Sequence, residues 1–177
     1  MNKKLIIYYS MDGNTKIIAD MIQKETGADS VMLRPAVPYT GTDEEIVSQG
    51  KDETNRGFMP ELEEIPVNID DYDTIMIGTP TWWYTMAPVI LSFIAHHDLS
   101  GKTVIPFQTH AGWPGHALED IKEATKGAEV KNGMKIQFSA QEFGKLVTPE
   151  KEVEKWMKHY KKKEISVETA GIFLFMF

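Results

Sequence analysis

Apolar residues fall into two alternating patterns along the chain. Short continuous runs rich in β-branched and aromatic side chains, at Leu5–Tyr9, Ser30–Leu33, Thr74–Gly78 and Lys102–Phe107, each stop at a polar, proline or glycine boundary, as strands buried on both faces do. Between them run helical stripes: Ile17, Ile18, Met21 and Ile22 before Gly27; Val89, Ile90, Phe93 and Ile94 after Pro88; Leu118, Ile121 and Thr125 before Gly127. A fifth strand is expected within Val130–Phe138. Thr148 is placed to cap a last helix with Pro149 at its first position, Glu150 and Glu152 in its first turn, and Val153, Trp156, Met157 and Tyr160 as its apolar stripe.

From Pro35 to Pro66 the periodicity fails under repeated proline and glycine, and only Thr42–Thr54 predicts a helix. The order is strand then helix, five times over. Parallel strands need long right-handed crossovers, so this alternation predicts an α/β fold: a three-layer, doubly wound, five-stranded parallel sheet.

The length of 177 residues and a hydrophobic fraction of 42% predict one domain with its core at about residues 4–161. The balance of 19 Lys and Arg against 26 Asp and Glu leaves a net charge of −7, which argues against binding nucleic acid. With no cysteine there is no disulfide, thiolate zinc site or thiol redox couple, so redox chemistry would require a borrowed cofactor. Met1–Lys4 leads into a strand without the apolar stretch of a secretory leader, and a cytoplasmic location is expected. The segment 165–177 ends in the apolar run Ile172–Phe177. Its six residues fall far short of the roughly 20 that span a bilayer. An added edge strand, packing on the domain, a homodimer contact and a non-native end are its open readings.

In a doubly wound sheet the ligand sits beyond the carboxyl ends of the strands. Three loops there have unusual composition. Ser10-Met11-Asp12-Gly13-Asn14-Thr15 joins a buried strand to a helix start, so short polar side chains, a glycine and unpaired N–H groups could cradle an anion; an ordinary helix-capping turn is the alternative. Gly78 to Pro88 holds Trp82, Trp83 and Tyr84 in succession. Three aromatics there cannot all enter one core, which predicts an exposed aromatic surface suited to a flat ring. Thr109 to His116 offers small residues, Trp113, and two histidines at no standard metal spacing. These histidines are expected to face solvent or cap, and His96-His97 to decorate a helix end.

Taken as an ordered set, these loops resemble the flavodoxin family, and in particular its proteins with a T-P-x-W-W second loop. The resemblance covers Leu5 to about Tyr160 and implies the strand order 2-1-3-4-5 and noncovalently bound FMN. It implies that Ser10, Met11, Gly13, Asn14 and Thr15 hold the phosphate, that Pro80, Thr81, Trp82, Trp83 and Tyr84 line the flavin ring, and that Thr109, His110, Ala111 and Gly112 meet its pyrimidine side. The chain departs from the family in two places. Asp12 stands where threonine is usual, and a carboxylate there repels phosphate unless it turns to solvent. Thr81–Tyr84 also lacks the glycine with which one-electron flavodoxins often turn a peptide beside the ring, so positive φ there would be strained.

The expected function is therefore an FMN-binding electron-transfer protein acting with a redox partner protein. The alternatives are an NAD(P)H-dependent quinone or flavin reductase of the same fold and a cofactor-free flavodoxin-like module. A receiver-like signalling domain fits poorly, because strand one ends in Tyr9-Ser10 rather than in acidic residues.

Overall fold

The computed structural model describes residues 3–161. The expectations for the segment 165–177 lie outside the described residues.

The chain runs β1 (Lys4–Tyr8), α1 (Asn14–Thr26), β2 (Asp29–Met32), α2 (Asp43–Arg56), a 3-10 turn (Ile69–Asp71), β3 (Thr74–Trp82), β4 (Thr85–Met86), α3 (Pro88–His96), β5 (Thr103–His110), α4 (Ala117–Ala124), β6 (Glu129–Val130), β7 (Met134–Gln137) and α5 (Glu150–Lys158). The parallel order is β2-β1-β3-β5-β6, with β7 also paired to β5 and β4 antiparallel to β3. This is the predicted doubly wound sheet, its fifth position shared by β6 and β7.

Alternation along the strands builds two cores. On one face Leu5, Ile7, Ile75, Ile77 and Val104 pack with Val89, Ile90 and Phe93 of α3 and Ile121 of α4. On the other, Ile6, Tyr8, Met76, Ile105, Phe107 and Ile136 pack with Ile18, Ala19 and Ile22 of α1 and Val153 and Met157 of α5. Gly78 in β3 is pressed against the Phe107 ring: a methyl group there would sit 2.2 Å from it.

The fifth strand breaks for a covalent reason. In β5, Val104 accepts a hydrogen bond from Lys131 N–H, so Val104 and its alternates, Pro106 included, face the edge. Proline has no N–H to offer a neighbour. Opposite it the chain leaves the ladder at Lys131–Gly133 and rejoins at Met134, paired with Phe107.

Three expectations are corrected. Strand three does not stop at Gly78 but continues to Trp82, pairing as far as Pro80 with Thr109. Pro80 costs no ladder bond, because it faces the side on which β1 has already ended: Gly78, facing the same way, receives the N–H of Tyr9 just past the last β1 residue. Strand four likewise continues to His110. Thr148 does not cap α5. Its hydroxyl accepts from Gln137 N–H at 2.7 Å, and the helix starts after Pro149, with Glu150 and Glu152 in its first turn.

The crossover helix forms where expected. Thr42 caps it in a reciprocal capping box: Glu45 N–H donates to the Thr42 hydroxyl and Thr42 N–H to the Glu45 carboxylate.

Candidate functional site

The carboxyl ends of β1, β3 and β5 meet at one end of the sheet, and side-chain hydrogen bonds hold them there. After β1, Ser10 is buried, and its Oγ accepts the N–H groups of Gly13 at 3.1 Å and Lys16 at 3.2 Å. This curls the loop around Gly13, whose φ of +94° suits glycine and delivers the chain into α1. Among the described residues, no group accepts the N–H of Asp12, Asn14 or Thr15. Open donors at a helix start are the kind of arrangement that suits an anion. Asp12 is exposed, Thr15 is buried, and the Thr15 hydroxyl lies 2.7 Å from that of Thr109 at the end of β5.

Sequence reasoning missed a third wall. The loop after β7 closes on itself, with Ser139 N–H donating to Lys145 O, and its tip rests on the α1 start. Gly144 N–H donates to Asn14 Oδ1 at 3.2 Å, and a methyl group at Gly13 would sit 3.0 Å from the Phe143 ring. Phe143 is one exposed aromatic in a polar loop, a pattern that carries no periodic signal.

β3 and β4 form a hairpin whose two turn residues are Trp83, at φ +48°, and Tyr84, at φ +68°. This is the geometry that Asn-Gly usually supplies. The strain expected of non-glycine residues is present, and neighbours hold it. Trp83 Nε1–H donates to Val47 O of α2 at 2.9 Å, and Lys51 Nζ lies 5.4 Å from the Trp83 ring centre. Tyr84 O accepts His116 N–H at 2.7 Å, and Gly115 packs so closely that a methyl group there would be 2.0 Å from the same oxygen.

The three aromatics divide as the sequence required. Trp83 is 38% exposed and Tyr84 54%, while Trp82 is buried. Trp82 packs with Tyr9 at 6.1 Å and Tyr39 at 5.1 Å between ring centres, and against Gly50, where a methyl group would sit 1.9 Å from Trp82 Nε1. Tyr39 donates to buried Glu53 at 2.7 Å, and Gln49 donates to the same carboxylate at 2.8 Å. Burial, then the Glu53 carboxylate, raises the Tyr39 pKa; burial, then Asp12 and Glu53, raises that of Tyr9. Both phenols stay neutral.

Met11, Asp12, Pro80, Thr81, Trp82 and Trp83 line a cleft of about 560 Å³, whose opposite wall is Asp43, Ile46 and Val47 of α2. It gathers the first loop and the hairpin but not Tyr84. A cleft of about 610 Å³ beside His96 and His97 opens instead at the amino end of the strands, by the 3-10 turn that precedes β3. Each of those two histidines places Nδ1 on a carbonyl of its own helix, Ser92 and Phe93 respectively.

The third loop, Thr109–Gly112, does not line the cleft between the hairpin and α2. Thr109 is buried, His110 is half-buried, and Ala111 and Gly112 are exposed. His110 Nδ1 accepts Gly112 N–H at 3.1 Å, which leaves its proton on Nε2. Burial, then the nearby Lys135 ammonium, lowers its pKa. His116 is exposed, with Nδ1 2.6 Å from Asp120, which also accepts from the Thr85 hydroxyl.

The chain is 30% identical, with a TM-score of 0.75, to a Bacteroides eggerthii protein assigned as a flavoprotein, covering 90% of this chain and 98% of that one. A flavoprotein from Lactobacillus acidophilus solved in complex with FMN is similar in fold, with a TM-score of 0.68 at 24% identity over 76% of this chain and 93% of that one. An Archaeoglobus fulgidus NAD(P)H dehydrogenase (quinone) is 30% identical over 112 residues, 58% of this chain but only 53% of the archaeal protein, so the match spans about half of that relative. A family model described as flavodoxin matches residues 3–159, nearly all of the described fold, and the chain belongs to the flavodoxin family.

Proposed function

We propose that the chain binds FMN and transfers electrons to or from a partner protein. The observation that carries this reading is the adjacency of a helix start suited to an anion and an aromatic-rimmed cleft: Met11 and Asp12 of the first loop line the same cleft as Pro80, Thr81, Trp82 and Trp83. The residues present fit the cofactor. The open N–H groups of Asp12, Asn14 and Thr15 suit a phosphate monoester, and the cleft between Pro80–Trp83 and α2 has room and apolar walls for a fused ring.

When bound, FMN supplies the redox chemistry. The helix start and Ser10 loop hold the phosphate. Trp83 and the α2 side chains Ile46 and Val47 would exclude water from the ring, and the exposed Ala111 and Gly112 backbone would be open to its pyrimidine side. Catalytic acid or base chemistry from the chain is not required for electron transfer.

Exposed carboxylates on the crossover, Asp43, Glu44, Glu45, Glu61, Glu63 and Glu64, together with the net charge of −7, support a basic redox partner. No helix among the described residues is long and apolar enough to cross a membrane. We place this activity in the cytoplasm.

One observation favours a second reading, an NAD(P)H-dependent quinone or flavin reductase: the partial similarity to the archaeal quinone dehydrogenase. Anaerobic titration of the purified chain with FMN, then NADH and NADPH, tests both. Tight FMN binding without bleaching supports the carrier, bleaching by a nucleotide supports the reductase, and no binding at high micromolar FMN overturns both.

A further inference from the structure

We propose that Gln108 is a positioning residue that sets the spacing of the hairpin and the third loop, and through it the grip on the flavin ring; this rests on the FMN reading above. Gln108 lies in β5 opposite Thr79 and is fully buried. Its Nε2 donates to Thr81 Oγ1 at 2.5 Å and also to the carbonyl oxygen of Pro114. The Thr81 hydroxyl itself donates to that carbonyl at 3.4 Å. One amide thus closes a knot between the hairpin, the central sheet and the third loop.

The orientation of the amide follows from chemistry. The Pro114 oxygen carries no hydrogen, so only the NH₂ end of Gln108 can face it. Its Oε1 is left sealed from solvent with no partner among the described residues. An unpaired buried acceptor is destabilising, and an apolar side chain of the same length would fill the space without one. The contribution of the amide therefore lies in what its NH₂ end holds. Thr81 lines the ring cleft, while Pro114 adjoins Gly115, which packs on the Tyr84 carbonyl. Gln108 fixes the inner of two contacts between these loops, and the outer one is His116 N–H to Tyr84 O.

The test compares Gln108→Met and Thr81→Ala with the parent chain, measuring FMN and riboflavin affinity and the melting temperature of the flavin-free protein. The expected result for Gln108→Met is an unchanged or raised melting temperature with both flavins bound about tenfold more weakly, the scale of one lost hydrogen bond. Equal losses leave the FMN-to-riboflavin affinity ratio, which the phosphate loop sets, as in the parent. Thr81→Ala gives the same paired loss, and the double variant is no worse than either single one.

Affinities within twofold of the parent, a loss confined to FMN, or additive losses in the double variant overturn the assignment. If Gln108→Met does not fold, Gln108→Leu takes its place: a paired loss with an unchanged ratio sustains the proposal, and parental affinity overturns it. A parent chain that binds neither flavin overturns the FMN reading and this assignment together.

Discussion

The hydroxyls of Thr15 and Thr109 meet at 2.7 Å in the interior and tie the first turn of α1 to the end of β5. Two chain ends that no backbone ladder joins are thereby held in register. Thr109→Val leaves the Thr15 hydroxyl buried without its partner and is expected to destabilise the fold by about 1–3 kcal/mol in urea unfolding. The double change to valine at both positions recovers most of that loss, because two apolar groups of the same shape leave nothing unpaired.

Gly50 reverses the usual helix rule. Replacing an interior helix glycine with alanine normally stabilises by about 1 kcal/mol. Here the added methyl group meets the Trp82 indole, so Gly50→Ala is expected to destabilise by about 1–3 kcal/mol and to raise Trp82 fluorescence exposure to quenchers. A melting temperature above that of the parent would refute this packing.

The hairpin turn holds a tyrosine in the left-handed region at φ +68°. That conformation costs an L-residue about 1–2 kcal/mol, and the extra unfolded freedom of glycine offsets about 0.5–1. Tyr84→Gly is therefore expected to stabilise by about 0.5–1 kcal/mol in thermal unfolding.

Asp12 is exposed and lines the cleft next to the open N–H groups. Its carboxylate opposes a bound phosphate, and salt screens that opposition. Asp12→Thr is expected to tighten FMN binding about fivefold at low ionic strength, equivalent to about 1 kcal/mol, with the gain shrinking at 0.5 M salt. Riboflavin, which lacks the phosphate, should bind the two proteins alike.

Burial and Lys135 depress the His110 pKa below its ordinary value of 6.5. The neutral ring is thus favoured in the fold, and the unfolded chain binds the proton more readily. The stability this contributes is present above pH 6.5 and is lost as pH falls from there through the folded pKa. The fall in melting temperature between pH 7 and pH 5 should be smaller in His110→Asn than in the parent.

The layered sheet was legible because each strand and helix carries its own spacing: Leu5–Tyr9 as a continuous run, Ile18 and Ile22 as a helical stripe. The ends of the strands were less so. Gly78 and Pro80 mark a loop by composition, yet β3 continues through them because Gly78 makes room for Phe107 and Pro80 faces a side without a ladder. The split between buried Trp82 and exposed Trp83 follows from β3 reaching Trp82, so the aromatic run could be read only as a group. Phe143 and Gln108 were hidden for a different reason. Their roles depend on contacts with Gly13, Thr81 and Pro114 across the fold, which no local spacing encodes.

Pro106 reaches beyond the strand it interrupts. A long, unbroken outer strand would present a row of free peptide groups onto which a second chain could add its own strand, the first step towards aggregation. With the two residues of β6 and the four of β7 separated opposite a proline, that margin of the sheet offers no continuous template. A single imino acid in β5 thus denies a second chain that template, at the margin of a sheet whose central strands are almost entirely buried.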